Sequence, residues 1–170
     1  MKRLRGALAV AAIFAVALAL GLLARRWAVG TVRISGTSMR DTLRGGDVAL
    51  VTRFDYAVGN TPRRGDVVEC RFPGRGDTYV KRVIGLPGEE ISFFGGALTV
   101  NGQVVREDYV SSPTGDYAVL LGEDEYLVLG DNRAESYDSR MADMGPIGAE
   151  AFVGRVRFIL WPIGRIGPVQ

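Results

Sequence analysis

A run of nineteen uncharged residues near the N-terminus, residues 6–24, most constrains how this chain can fold. As an α-helix that rises about 1.5 Å per residue, the run would extend about 28 Å, close to the hydrocarbon thickness of a bilayer. A cleaved signal peptide is the alternative, but its apolar core is usually shorter, and Arg25 and Arg26 stand where a small-residue cleavage site would be expected. The run therefore predicts one retained transmembrane helix.

Basic residues flank this run on both sides and predict its orientation. Three of them precede it within the first five positions, whereas Arg25 and Arg26 follow it. Because basic flanks are retained in the cytoplasm, the small N-terminal excess predicts a cytoplasmic N-terminus and an extracytoplasmic body. We therefore divide the chain into residues 1–26, a basic flank with the anchor, and residues 27–170, the body.

The composition of the body excludes several classes of function. Residues 27–170 hold 16 basic and 19 acidic side chains, which is a poor surface for nucleic acid. The chain has no histidine and one cysteine, Cys70, so a Ser-His-Asp triad, a Cys-His dyad and a Cys/His zinc site are all excluded. Cys70 is expected to pack as a small apolar residue. We predict no metal and no other cofactor.

Short runs rich in Val, Ile, Tyr and Phe fill the body, and each ends at Gly, Pro, Asn or Asp. Seven runs follow this pattern: residues 27–35, 47–54, 66–72, 78–86, 97–105, 125–129 and 152–161. Asn101-Gly102 is a strong signal for a two-residue type I′ hairpin, in which both residues take positive φ. The pattern predicts a mostly β domain, an antiparallel sandwich or barrel-like sheet.

Two polar residues stand out because of their positions beside these runs. Ser38 lies on a Gly-preceded turn fourteen residues beyond the apolar run, and Lys81 is the only lysine of the body. Taken singly, a turn serine and a solvated lysine are the ordinary interpretations. Taken together, they form a candidate nucleophile and base, because a desolvated lysine with a lowered pKa can deprotonate a serine hydroxyl.

The sequence also contains four segments in a recognisable order and spacing: SGTSMRDTL, RRGDVVEC, YVKRVIGLPGE and GDNRAESYDSR. KRVIGLPGE and GDNR-x-x-S-x-DSR are highly specific motifs, and with the other two segments they resemble the boxes of bacterial type I signal peptidases. The resemblance extends to FVGRVRFILWP and so covers nearly the whole chain. It implies a membrane-anchored serine endopeptidase of mostly β structure that removes signal peptides from exported proteins after small residues, as in Ala-x-Ala.

The resemblance implies roles for three residues in catalysis. Ser38 matches the nucleophile, and Lys81 matches the general base that later protonates the leaving amine. Ser136 matches the residue whose hydroxyl orients the lysine. The backbone N–H of Ser38 is the expected oxyanion donor. Some members add a serine hydroxyl where this chain has Gly36, so the second donor stays unassigned.

Other matched residues are expected to support the site or bind the substrate. Two ion pairs, Arg82 with Asp131 and Asp138 with Arg140, are expected to hold the geometry without taking part in bond breaking. The expected partners are the signal peptides of secretory preproteins and the lipid bilayer, and the protein is expected to be a monomer. The residues that match the shallow substrate pockets are Ile34, Gly36, Met39, Tyr79 and Val80.

One position departs from the family pattern close to the nucleophile. Asp41 stands where the family usually has proline, so a fixed φ is lost and a carboxylate is added. If that carboxylate lies near Lys81, it raises the pKa of the lysine and works against its role as a base.

Three other functions are compatible with parts of the sequence. A self-cleaving Ser/Lys repressor would need a DNA-binding domain where this chain has an apolar run. An organellar inner-membrane peptidase and a catalytically inactive membrane-anchored β module that binds signal peptides remain open. The joint presence of Ser38, Lys81 and Ser136 favours an enzyme over the inactive module.

Overall fold

The computed structural model describes residues 12–21, 28–57 and 59–170. Residues 12–21 form helix α1, and Phe54–Ala57 form the single turn α2. Two 3₁₀ turns cover Ala149–Ala151 and Ile163–Arg165. The strands are β1 (Val29–Arg33), β2 (Val48–Thr52), β3 (Val67–Arg71), β4 (Thr78–Gly85), β5 (Glu90–Phe94), β6 (Ala97–Val100), β7 (Gln103–Val105), β8 (Tyr117–Leu120), β9 (Leu127–Leu129), β10 (Phe152–Trp161) and β11 (Gly167–Pro168).

The larger of two sheets contains seven strands, in the order β1-β2-β10-β3-β4-β9, with β11 paired to β10. Every strand pairing in this sheet is antiparallel. Side chains on both of its faces are buried: Val68 and Val83 belong to one apolar cluster, whereas Val51 and Val67 belong to another. The central strands are therefore covered on two sides, which explains why their sequences read as nearly continuous apolar runs.

The smaller sheet has four antiparallel strands in the order β7-β6-β5-β8. β6 and β7 are joined by Asn101 and Gly102, whose φ values are +49° and +77°, so the predicted type I′ hairpin is confirmed. Apolar side chains from both sheets meet in a third cluster, in which Phe93 of the smaller sheet joins Leu127 of the larger one. This cluster fixes the smaller sheet against the end of the larger one.

The predicted mostly β, antiparallel architecture is confirmed, although the sequence pattern did not reveal all the strands. Each of the seven runs contains a strand, and the run at 97–105 contains two, β6 and β7. The pattern missed β5, β8 and the two-residue β11. β5 alternates between buried and less buried side chains over five residues, and β8 alternates between partly buried and exposed side chains over four, which leaves too short a signal to separate them from turns.

The predicted membrane anchor lies only partly within the described residues. Helix α1 covers residues 12–21 of the predicted 6–24, and its large apolar side chains, such as Ile13, Phe14 and Leu18, are exposed. The rest of the predicted span, and the proposed boundary between residues 26 and 27, lie outside the described residues. Among the helices that are described, none is long and apolar enough to cross a membrane.

Candidate active site

Lys81 lies on β4, and the sheet buries its side chain almost completely. It faces Val68 of β3, and only 2% of the residue is exposed. Its Nζ donates a hydrogen bond to Ser136 Oγ at 3.0 Å. Burial lowers the pKa of Lys81 below its ordinary value, and this effect outweighs the opposing charge of Asp138. The lysine thus has the environment that a neutral amine requires.

The Ser136 hydroxyl and the Asp138 carboxylate are held by one backbone amide. The N–H of Gly130 donates to Ser136 Oγ at 3.1 Å and to Asp138 Oδ2 at 3.0 Å. Burial alone would raise the pKa of Asp138, but hydrogen bonds from Arg140 and Ser136, together with the Arg140 charge, hold it below its usual range. Asp138 is therefore an anionic acceptor for the Ser136 hydroxyl.

Ser38 approaches the same point from the turn that follows β1. The carbonyl of Ser38 accepts the backbone N–H of Asn132 at 2.9 Å, and the Asn132 side chain donates to the carbonyl of Thr37 at 3.1 Å. A Cβ at Gly130 would lie 2.2 Å from Ser136 Oγ and 2.4 Å from the Ser38 carbonyl oxygen. Only glycine fits between these two serines, and its small size allows them to converge.

Both expected ion pairs are present in the structure. Arg82 binds Asp131 through two hydrogen bonds of 2.8 Å, with both side chains almost fully buried. Arg140 binds Asp138 through Nε at 2.8 Å and Nη2 at 3.0 Å. Because a planar guanidinium pairs a carboxylate at two points, each pair fixes an orientation as well as a charge. The residues next to the candidate catalytic groups are thus held rigidly.

A cleft of about 650 Å³ leads to these residues. Most of its lining comes from two segments, the end of β1 with the turn after it and residues 77–81, which include the first half of β4. Ser38 and Lys81 both line the cleft, as do Glu135 and Tyr137. All five residues that match the family's substrate pockets line the cleft as well: Ile34, Gly36, Met39, Tyr79 and Val80.

The structure does not support an effect of Asp41 on the pKa of Lys81. Its carboxylate is exposed and accepts a hydrogen bond from Ser111 Oγ at 2.6 Å. The charged groups that act most strongly on the pKa of Lys81 include Asp138, Arg140 and Asp131, but not Asp41. The hypothesis of a carboxylate at position 41 opposing the base is therefore not supported.

Several residues of the site escaped the sequence interpretation. Thr42 bridges Arg82 and Asp131, donating its hydroxyl to Asp131 Oδ2 and accepting from Arg82 Nη2 at 3.2 Å. Arg133, inside the GDNR motif, donates through Nε to the carbonyl of Gly130 at 2.9 Å. Glu107 lies outside every motif, so no local signal in the sequence could have linked it to the site. In the described part of the chain, no group of three or more Cys, Asp or Glu side chains is placed to hold a metal ion.

Comparisons with known proteins show which family this chain resembles. The family described as "Signal peptidase, peptidase S26" matches residues 7–161. A signal peptidase I from Leptolyngbya laminosa is 37% identical over 163 residues, covering 89% of this chain and 77% of that protein. A signal peptidase I T from Bacillus subtilis is 33% identical over 163 residues, covering 89% and 83%.

The fold has a counterpart among solved structures as well. A crystal structure of a signal peptidase I from Enterococcus faecalis matches with a TM-score of 0.52 at 30% identity, covering 56% of this chain and 97% of that chain. The family match spans most of the sequence, and the relatives are more than 30% identical over most of its length. The chain therefore belongs to the signal peptidase family, peptidase S26, and is a serine endopeptidase of that family.

Proposed function

We propose that the protein cleaves signal peptides from exported preproteins with Ser38 as the nucleophile and Lys81 as the general base. The observation that carries this proposal is the buried Lys81 amine, hydrogen-bonded to Ser136 Oγ at 3.0 Å and lining the same cleft as Ser38. A serine hydroxyl needs a base, and the chain contains no histidine. Within the described site, Lys81 is the amine that can take this role.

The hydrogen bonds around Ser136 determine where the lone pair of a neutral Lys81 points. Ser136 Oγ accepts from both the Lys81 amine and the Gly130 N–H, so its two lone pairs are used and its own hydrogen is directed to Asp138. Lys81 must then donate towards Ser136 with an N–H. Its lone pair is left to accept the proton of Ser38 Oγ, and the resulting ammonium can protonate the leaving amine.

The backbone N–H of Ser38 supports the proposal as an oxyanion donor. Among the hydrogen bonds of the described residues, none uses this N–H, so it remains available to a developing oxyanion. A Cβ at Gly36 would meet no atom within 4 Å, which shows that the cleft beside the nucleophile is open there. A second donor stays unassigned.

Two unpaired strand edges favour a substrate bound in extended form. Among the described strands, β1 pairs with β2 on one side and has no partner on the other. Residues 78–81 of β4 also pair on one side only, with β3, because the pairing of β4 with β9 begins at Arg82. Both edges line the cleft. A peptide added between them would turn alternate side chains towards the enzyme, where Ile34, Met39 and Val80 leave room for small groups. This arrangement supports specificity for Ala-x-Ala.

We propose in addition that the N-terminal segment anchors the protein in the plasma membrane, with the N-terminus in the cytoplasm and the catalytic domain outside. The uncharged run at 6–24, the exposed apolar side chains of α1 and a family match that begins at residue 7 all support this. The anchor would hold the cleft near bilayer-inserted preproteins, so the partners would be the signal peptide and the lipid bilayer.

Ser38→Ala, Lys81→Ala and Lys81→Arg should each reduce cleavage of a secretory preprotein by about 10⁴-fold or more, because nucleophile and base act as one unit. Arginine cannot act as the base, since it stays protonated at any working pH. Lys2→Arg is the matched control, because Lys2 is the only other lysine of the chain. Rates come from gel assays of the detergent-solubilised protein, with N-terminal sequencing of the product. A Lys81 variant that remains active would exclude the dyad.

Preproteins with Leu or Phe at the first or third position before the scissile bond should be cleaved at least about tenfold more slowly than those with Ala. The reason is that the side chains lining the cleft are packed in the protein, with Met39 only 1% exposed, and cannot move aside to make room for a larger substrate side chain. Competition assays measure the ratio of kcat/KM. Ile34→Ala shortens a side chain that lines the cleft, so it should reduce the difference in kcat/KM between preproteins with Ala and those with Leu or Phe. Equal rates for Ala and Phe in the wild type would contradict the pocket assignment.

The acid limb of the kcat/KM profile should be the same in the wild type and in Asp41→Asn. Activity rises as the pH passes the pKa of Lys81, because only the neutral amine accepts a proton. Asp138, whose charge raises the pKa of Lys81, provides the contrast: Asp138→Asn should move the limb to lower pH in the activity that remains. A shift of the acid limb in Asp41→Asn would contradict this and show that the Asp41 carboxylate acts on Lys81.

Removing residues 1–26 should leave hydrolysis of a short peptide unchanged but slow the cleavage of preproteins inserted in vesicles. The anchor raises the effective concentration at the bilayer without joining the chemistry. The full-length and the truncated protein are assayed on both substrates at equal enzyme concentration. Equal rates on vesicle-inserted preproteins would show that docking does not depend on the anchor.

A further inference from the structure

Glu107 lies in the loop of residues 106–116, between β7 and β8 of the smaller sheet, yet its carboxylate binds Arg133, a residue of the GDNR segment beside the candidate active site. It accepts hydrogen bonds from Arg133 at both oxygens, 2.6 Å from Nη2 and 3.0 Å from Nη1. The Arg133 side chain is fully buried and that of Glu107 is 8% exposed. A buried guanidinium stays charged, so without this carboxylate an uncompensated charge would remain beside the site.

Arg133 connects Glu107 to the backbone that holds the proposed catalytic groups. Its Nε donates to the carbonyl of Gly130 at 2.9 Å, and Nη1 also donates to Thr114 Oγ1 at 2.8 Å. The N–H of the same glycine donates to Ser136 Oγ and to Asp138. Glu107 and Arg133 are therefore linked by hydrogen bonds to the Gly130 carbonyl, and the N–H of Gly130, on the other side of its Cα, binds the partner of Lys81.

Glu107 has a second connection, to the buried ion pair on the other side of the site. The hydroxyl of Tyr109 donates to Glu107 Oε1 at 2.8 Å. The Arg82 guanidinium lies over the Tyr109 ring, with its Cζ 3.9 Å from the ring centroid. Arg82 in turn binds Asp131. Burial, reinforced by the Glu107 charge, raises the pKa of Tyr109, so its hydroxyl stays protonated and continues to donate.

We propose that Glu107 is a positioning residue for the Ser38–Lys81 pair, which it orients through Arg133 and the backbone of Gly130. The inference rests on the proposed function, since it concerns the same reaction. Glu107 touches neither the cleft nor a candidate catalytic side chain. It acts by holding Arg133 on the Gly130 carbonyl, which restricts rotation of the backbone about the Gly130 Cα. This restriction limits the direction in which the Gly130 N–H points, and with it the hydroxyl that orients the lysine.

Glu107→Gln tests the proposal because it removes the charge at nearly constant shape. We expect kcat to fall about 10- to 100-fold with KM within about twofold of the wild type, since small displacements of reacting groups cost this much while the cleft is untouched. Glu107→Asp, which keeps the charge on a shorter side chain, should recover part of kcat. Asp108→Asn is the matched control: it removes the same charge one residue away, from an exposed pair with Arg106, and should leave kcat unchanged.

Kinetics of this kind separate positioning from simple loss of fold. The full-length chain in detergent is assayed below its unfolding temperature, and the acyl-enzyme burst counts the competent molecules, so kcat refers to folded protein. If Glu107→Gln does not fold, Tyr109→Phe decides, because it removes only the hydroxyl that holds Glu107 Oε1 and should lower kcat about threefold to tenfold. The inference is overturned if Glu107→Gln has the same kcat per competent molecule as the wild type. If Glu107→Gln does not fold, the same result in Tyr109→Phe overturns it. A wild-type chain that cleaves no preprotein would instead overturn the proposed function, and this inference with it.

Discussion

The burial of one amine, that of Lys81, is the constraint on which the rest of the site depends. A lysine acts as a base near neutral pH only when its pKa is lowered, and burial is the main cause of that shift here. Burial requires cover on both faces of β4, which two apolar clusters supply: Val83 belongs to one of them, and Val80 packs against the other. The fold therefore sets the chemistry of the residue before any substrate is bound.

The basic side chains divide into two kinds according to whether they must lose a proton. Nineteen of the 21 are arginines, and three of these form ion pairs around the site, to Asp131, Glu107 and Asp138. Arginine suits such pairs because its charge is permanent and its planar head binds a carboxylate at two points. The one lysine of the body stands where the proposed mechanism needs a removable proton. The contrast explains structurally why Lys81→Arg should be inactive even though a positive charge is retained.

Local patterns predicted the fold class and the residues of the motifs, but not the contacts between distant segments. The Asn101-Gly102 hairpin was readable because the turn geometry demands those two residue types. Ser38, Lys81 and Ser136 were readable because they lie in specific motifs, and the structure places them around Gly130. Glu107 was not readable, since an acidic residue in a polar loop is usually solvated, and only the docking of the smaller sheet buries it against Arg133. Asp41 was misjudged for the same reason: its nearness in sequence to Ser38 does not reveal that it points towards Ser111.

The open strand edges of the cleft link stability to function. Unpaired edges expose backbone groups that invite association, and folded proteins usually cover or blunt them. Here both edges end at the proposed catalytic residues, because β1 leads into the turn of Ser38 and β4 leads to Lys81. A substrate strand inserted between them would satisfy these backbone groups and bring its scissile bond to the serine in the same movement. Backbone pairing needs no particular substrate sequence, so selectivity would fall to the few side chains that line the cleft. The proposed function, cleavage of many preproteins that share only small residues before the scissile bond, would require this division between backbone binding and side-chain selection.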